Sequence, residues 1–254
     1  MKTFAFALGA CAIMLFAAAP ARADWDHPVK WDQLQPDEEL WGMTSYIADS
    51  TNILIADDFP CTETGWITDI EFNGWAVVGA VGISSFRITF WSDVPATPNE
   101  ESHPGEEPLR TIEVGEVDPG DPLGPGWQKI DEYLYKINIP EDSWFLQEKD
   151  RIYWIGIQAV MGGSGSFNWI FRDRKADTSG DDAVFSSTGA APWKHWGWPD
   201  ADPSVPPEYY EGTLPAEWYK SADMSFRLTG IPVPEPGMLA LAGLGLLALV
   251  RRRR

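Results

Sequence analysis

The sequence predicts an all-β protein: a single antiparallel β-sandwich or jelly roll, flanked by an N-terminal signal peptide and a short C-terminal transmembrane helix. Apolar side chains fall on every second residue in many short runs, the period of a strand with one buried face. Pro, Gly and Asp gather between those runs, most densely in Asp118-Pro119-Gly120-Asp121-Pro122-Leu123-Gly124-Pro125-Gly126, where such residues favour turns. No stretch of the body between the two termini sustains a helical period.

The first element is an export signal. Lys2 supplies a positive start, residues 4–19 an apolar run, and Ala21-Arg22-Ala23 the small residues that signal peptidase inspects. The run is too short for a permanent membrane helix. A lipoprotein reading of Leu8-Gly9-Ala10-Cys11 leaves too little hydrophobic sequence ahead of the cysteine to drive export. The exported body then begins at Asp24.

Residues 24–51 read as a lead-in, and the sandwich proper as 52–230. Strands are expected at 52–59, 66–78, 86–91, 109–117, 133–139, 151–161, 167–171, 183–187 and 223–229. Phe86, Ile88 and Phe90 share one face of their run, as do Tyr133, Tyr135, Ile137 and Ile139 of theirs. The run 151–161 is almost continuously apolar, as a central strand buried on both faces would be. Met224, Phe226 and Leu228 alternate with polar residues in the last one. With 44% hydrophobic and 13% aromatic residues, the chain has the apolar surface a core needs. Residues 99–108 and 200–215 read as long loops.

The last element, 231–254, has three parts in fixed order: Pro234-Glu235-Pro236, an apolar helix over 237–250, and Arg251-Arg252-Arg253-Arg254. A helix of that length spans about 21 Å, short for a bilayer core of about 30 Å. The arginines can snorkel to the headgroups and hold the end in the cytoplasm. A plain tail anchor accounts for this much. The arrangement also resembles the PEP-CTERM sorting signal of Gram-negative bacteria. That resemblance implies signal peptidase and exosortase as processing partners. It implies transient attachment to the inner membrane, cleavage near Pro234-Glu235-Pro236, and delivery to the surface or a polysaccharide-rich extracellular or biofilm matrix.

A second resemblance covers most of the body. Ala56-Asp57-Asp58-Phe59, Cys61, Ile67-Thr68-Asp69-Ile70, Phe90-Trp91-Ser92-Asp93-Val94-Pro95 and Ser102-His103-Pro104-Gly105 carry its first part. Gln147-Glu148, Tyr153-Trp154-Ile155, Asp181-Asp182-Ala183-Val184-Phe185 and Ser225-Phe226-Arg227-Leu228 carry the rest. Together they are similar to an uncharacterised secreted bacterial domain that often bears this tail. The resemblance implies a β-sandwich outside the cytoplasm and no established activity.

Charge excludes one class of function. The chain has 38 acidic and 19 basic side chains, a net charge of −19, and nucleic acid needs a basic surface to displace its counterions. Divalent cations and cationic partners are favoured instead. His27, His103 and His195 stand far apart in sequence without metal-ligand spacing. Removal of Cys11 with the signal leaves Cys61 alone, so no intrachain disulfide forms; Cys61 is a small buried residue or a thiol nucleophile. No G-x-S-x-G elbow is present, and Gly162-Gly163-Ser164-Gly165-Ser166 reads as a turn. Glu116-Val117-Asp118 superficially has the spacing of jelly-roll glycosidase acids, but Pro119-Gly120 breaks the strand that would hold a third one.

Two features point to binding. Asp57 and Asp58 close one strand, and Asp173, Asp177, Asp181 and Asp182 crowd one loop, an oxygen-rich set of the kind calcium takes; solvated turn aspartates are the plain alternative. Trp193, Trp196 and Trp198 stand in one short loop, where flat rings either stack on sugar faces or plug the end of a sandwich. The expected function is that of an exported, exosortase-sorted surface or matrix protein without catalytic activity that binds glycan or calcium. A secreted carbohydrate-active hydrolase on a jelly-roll scaffold is the alternative.

Overall fold

The computed structural model describes residues 27–34, 36, 42–78, 82–98, 100–172, 183–195 and 223–233. The expected signal peptide and the C-terminal helix lie outside them. In chain order the strands are β1 (Val29–Asp32), β2 (Gly42–Thr44), β3 (Tyr46–Ala48), β4 (Thr51–Pro60), β5 (Gly65–Val78), β6 (Ile83–Val94), β7 (His103–Pro104) and β8 (Arg110–Gly115). They continue as β9 (Gly126–Lys129), β10 (Leu134–Asn138), β11 (Phe145–Gln147), β12 (Ile152–Met161), β13 (Gly165–Ile170), β14 (Val184–Ser186), β15 (Lys194–His195) and β16 (Phe226–Pro232). The described residues contain no α-helix, and one short 3-10 turn at Glu141–Ser143.

Two sheets stack on one core. The first runs β1-β16-β5-β10-β9, with β11 and β13 also on β5 and β2 on β13; the second runs β15-β14-β4-β3-β12-β6-β7, with β8 on β6. Pairing is antiparallel throughout the named strands except between β3 and β12, where Tyr46 and Ile47 run parallel to Ala159 and Val160. Phe59, Phe86, Phe90, Ile155 and Ile157 from the second sheet meet Ile70, Phe72, Ile137, Phe226 and Leu228 from the first, all fully buried. Alternation along β4, β5, β6, β10, β12 and β16 gives each of these residues its inward direction.

Strand β5 organises the first sheet. Its 14 residues extend about 46 Å at 3.3 Å per residue, and it borders four partners: β11 and then β10 along one edge, β16 and then β13 along the other. A bulge at Thr68, where the β16 register shifts between Thr229 and Gly230, turns both Ile67 and Ile70 inward. Gly230 is required there, because a Cβ would collide with the Trp66 carbonyl oxygen.

Each of the nine runs expected as strands overlaps a strand of the structure. Residues 29–48, read as a lead-in, supply β1, β2 and β3, so the sandwich extends to both sides of 52–230. These strands are short, and their polarity conceals them. The Lys30 side chain turns inward to an ion pair with Glu63, and Ser45 between β2 and β3 is fully buried, donating to Ile157 O at 2.6 Å.

Candidate functional site

The end of β5 at Val78 carries an aromatic cleft of about 740 Å³. Trp75 and Ala76 of β5, Trp127, Gln128 and Lys129 of β9, and Tyr135 of β10 line it, together with Ile83, Glu116, Glu132 and Tyr133. The β9–β10 hairpin places this group. Ile130 N donates to Leu134 O at 2.8 Å, and Asp131 Oδ1 accepts from Tyr133 N at 2.8 Å and Leu134 N at 2.7 Å, an Asx turn that aims the following strand. Val117 N donates to Trp127 O at 2.9 Å, which brings Glu116 beside β9.

The cleft joins buried rings to partly exposed ones. Trp127 is 8% exposed; it stands edge-on to Phe86 with ring centres 5.4 Å apart and tilted against Tyr135 at 6.2 Å. Tyr135 stacks on Phe72 at 5.6 Å, and Lys129 Nζ lies 5.6 Å from the Tyr135 ring centre. Burial raises the Tyr135 pKa. Trp75 and Tyr133 are half-buried, whereas Glu116, Lys129 and Glu132 are exposed. Tyr133 Oη donates to Glu132 Oε1 at 2.9 Å, and this bond raises the Tyr133 pKa. The buried Trp127 indole N–H has no acceptor among the described residues. An unmet buried donor costs about 1–3 kcal/mol. The lining therefore offers two half-buried rings and a rim of carboxylates and one ammonium, while the Trp127 N–H itself has no exposed surface.

The chain leaves the sandwich at the opposite end of β5. Pro232 pairs with Gly65, and Val233 N donates to Thr64 O at 3.0 Å. Gly65 and Trp75 are about 33 Å apart along the strand at 3.3 Å per residue.

Residues singled out in the sequence fall elsewhere or outside the described residues. Trp193 is half-buried on the outer side of the second sheet. It packs on a small cluster of Leu54, Ala56, Trp91, Trp154 and Val184, edge-on to Trp91 at 5.4 Å. Its indole N–H also lacks an acceptor among the described residues. Trp196, Trp198, Asp173, Asp177, Asp181, Asp182, Pro234, Glu235, Pro236 and Arg251 to Arg254 lie outside the described residues. Among those described, no group of three or more His, Cys, Asp or Glu side chains is arranged to hold a metal ion.

Asp57 and Asp58, though adjacent, point to opposite faces of β4. Asp57 shares the core side with Ile55 and Phe59, and Asp58 the outer side with Ala56. Asp57 Oδ2 accepts from Gln33 Nε2 at 2.7 Å and Met224 N at 2.8 Å, tying one sheet to the other. Burial raises the Asp57 pKa well above the ordinary carboxylate value, and repulsion from Asp223 and Asp58 adds to the shift. His27 Nδ1 lies 2.7 Å from Thr68 Oγ1 and 3.1 Å from Asp69 Oδ2; His103 Nδ1 lies 2.8 Å from Pro104 O. His195 is on β15. Cys61 is buried beyond the end of β4 and donates its thiol to Glu63 O at 3.1 Å, with burial raising its pKa.

Sequence reading did not assemble the cleft. Trp75, Trp127 and Tyr133 come from separate segments, and nothing in their local spacing distinguishes them from ordinary strand and turn residues. Glu116 alone drew notice, as part of an acid pair that the structure separates: Glu116 follows β8, and Asp118 folds into the next turn, accepting from Gly120 N at 2.8 Å.

Two family profiles match the chain. Residues 29–229 match a domain of unknown function, DUF7901, and residues 232–254 match the PEP-CTERM protein-sorting motif. No curated protein and no solved structure matches the chain.

Proposed function

We propose that this chain, which belongs to the DUF7901 family, is a surface binding module that holds a neutral glycan in its aromatic cleft without cleaving it. The PEP-CTERM motif implies an exported protein, processed by exosortase and sorted to the cell surface or extracellular space of a Gram-negative bacterium. The observation that supports glycan binding is the aromatic lining of the cleft by Trp75, Trp127 and Tyr133; the buried Trp127 indole N–H, without an acceptor among the described residues, becomes a donor to a sugar when the wall opens by a small side-chain shift. Sugar rings have apolar faces that stack on indole and phenol rings, and hydroxyl oxygens that accept from a buried donor. A neutral glycan avoids the repulsion that a chain of net charge −19 exerts on anionic polymers.

The cleft stands at the pole away from Val233, where the described chain leads toward the sorting motif, so a molecule held through that motif presents the cleft outward. Single-site affinity is weak for so open a cleft, and many copies on one surface compensate. Trp193, Trp196 and Trp198 are proposed as a second contact for the same polymer. Calcium held by Asp173, Asp177, Asp181 and Asp182 would bridge the acidic surface to charged glycans.

The test is equilibrium binding of the exported protein to neutral polysaccharide from its own matrix, with reducing ends assayed in parallel. Binding without new reducing ends, lost in Trp75→Ala, supports the reading. Turnover abolished by Glu116→Gln or Glu132→Gln would establish the hydrolase alternative.

A further inference from the structure

The sandwich passes into its sorting motif without a spacer. β16 ends at Pro232, Val233 still donates to Thr64 O at 3.0 Å, and the motif match begins at residue 232. Pro234-Glu235-Pro236 and Gly237 follow, and the apolar run 238–250 starts at Met238. Fully extended at about 3.6 Å per residue, the chain from Val233 to Met238 reaches about 18 Å. Any surface that receives the apolar run therefore lies close to this pole.

The pole carries an apolar row on its outer face. Leu146 of β11 and Ile231 of β16 both stand directly opposite Trp66 of β5, so the three share one face. Their neighbours Ile67 and Phe145 belong to the core, which turns the row outward. Trp66 is 36% exposed and Leu146 40%. Exposed Leu109 and Ile152 line with Leu146 a groove of about 610 Å³ whose rim also carries Asp93, Glu148, Asp150 and Arg151. Charge at the pole is nearer balance than in the whole chain, with Asp93 of the groove the one carboxylate beyond three acid–base neighbours among these described residues. Glu63 pairs with Lys30 and Glu148 with Arg151, and Asp150 adjoins Lys149 in the same turn.

We propose that this pole is a membrane-facing surface: before the tail is cut, Trp66, Leu146 and Ile231 rest in the headgroup layer of the bilayer that receives the apolar run. An indole is favoured at that depth, and a small apolar face partitions weakly into the interface. The tether makes a weak contact effective by holding the surface at high local concentration. Its low net charge lets the pole approach anionic lipid more readily than the strongly acidic rest of the body. Cutting the tail removes the tether, and the contact is then too weak to retain the protein. The inference is independent of glycan binding at the far pole.

The experiment uses the exported chain with its tail uncut, isolated from a host lacking exosortase and reconstituted into phosphatidylethanolamine/phosphatidylglycerol vesicles. A fluorophore is attached at Leu146→Cys or, at the far end, at Ser164→Cys; the parent chain, with Cys61 buried, gives the labelling background. The expected result is several-fold stronger quenching by a headgroup nitroxide at position 146 than at 164, with iodide showing the reverse order. Trp66→Ser with Ile231→Ser should weaken the lipid quenching at 146 while the thermal melt stays cooperative. Equal access of iodide to both positions would overturn the proposal. So would protection at 146 that depends on protein density, which would assign the face to a second copy. Either outcome leaves the glycan reading standing.

Discussion

Trp66 and Trp75 stand on the same strand, nine residues and about 30 Å apart at 3.3 Å per residue. Trp66 faces solvent beside the exit of the sorting tail, and Trp75 lines the aromatic cleft. Because β5 is hydrogen-bonded along both edges, this spacing is rigid, and the attachment end and the candidate binding end are held apart by one element.

Gly230→Ala should destabilise the fold by about 3 kcal/mol, the range expected when a new atom must displace backbone. The added Cβ meets the Trp66 carbonyl at the Thr68 bulge, where the neighbouring strands cannot yield independently. Urea unfolding would register this as a lower midpoint with an unchanged slope.

Phe86→Ala should cost about 3–5 kcal/mol, as removal of a fully buried ring does. Phe86 contacts Phe72, Trp127, Tyr135 and Phe167 at ring-centre distances of 5.1 to 5.5 Å. The variant should also loosen the floor of the cleft, visible as a red shift of tryptophan emission.

Much of the fold was legible because burial imposed its period on the sequence. Phe86-Arg87-Ile88-Thr89-Phe90 alternates since one side faces the core and the other faces β8-paired solvent positions such as Arg87 opposite Glu113. In β1 the rule inverts: Lys30 is the buried residue and Val29 the exposed one, so an ion pair hides the strand from any apolar pattern. Neither the cleft nor the outward row had a local signature. Trp75 and Trp127 come together only through β10, which pairs with β5 on one side and β9 on the other. Leu146 meets Trp66 only through the β5–β11 register.

Asp57 should make stability fall as pH rises. Its folded pKa is raised by burial and by repulsion from Asp223 and Asp58, so between the unfolded value and that raised value the folded state binds more protons than the unfolded one. The linkage slope is then negative: stability from this group is greatest below its unfolded pKa and is lost as pH climbs through the folded pKa. Asp57→Asn should remove that part of the slope in urea midpoints measured across the carboxylate range and above it.

Cys61 should resist alkylation in the native protein. Its thiol is buried, donates to Glu63 O and has a raised pKa, so little thiolate is available to react. Labelling at neutral pH should follow the urea unfolding transition; fast labelling without denaturant would mean that the end of β4 opens independently.

Titration calorimetry of neutral matrix glycan against the parent protein and Trp127→Phe tests most directly whether the buried Trp127 indole donor serves a bound saccharide. The substitution keeps a ring against Phe86 and removes the donor. Loss of one hydrogen bond to a bound ligand should weaken affinity by about tenfold, with the thermal melt still cooperative and no reducing ends released. Equal affinities for the two proteins, or no binding by the parent, would contradict the account.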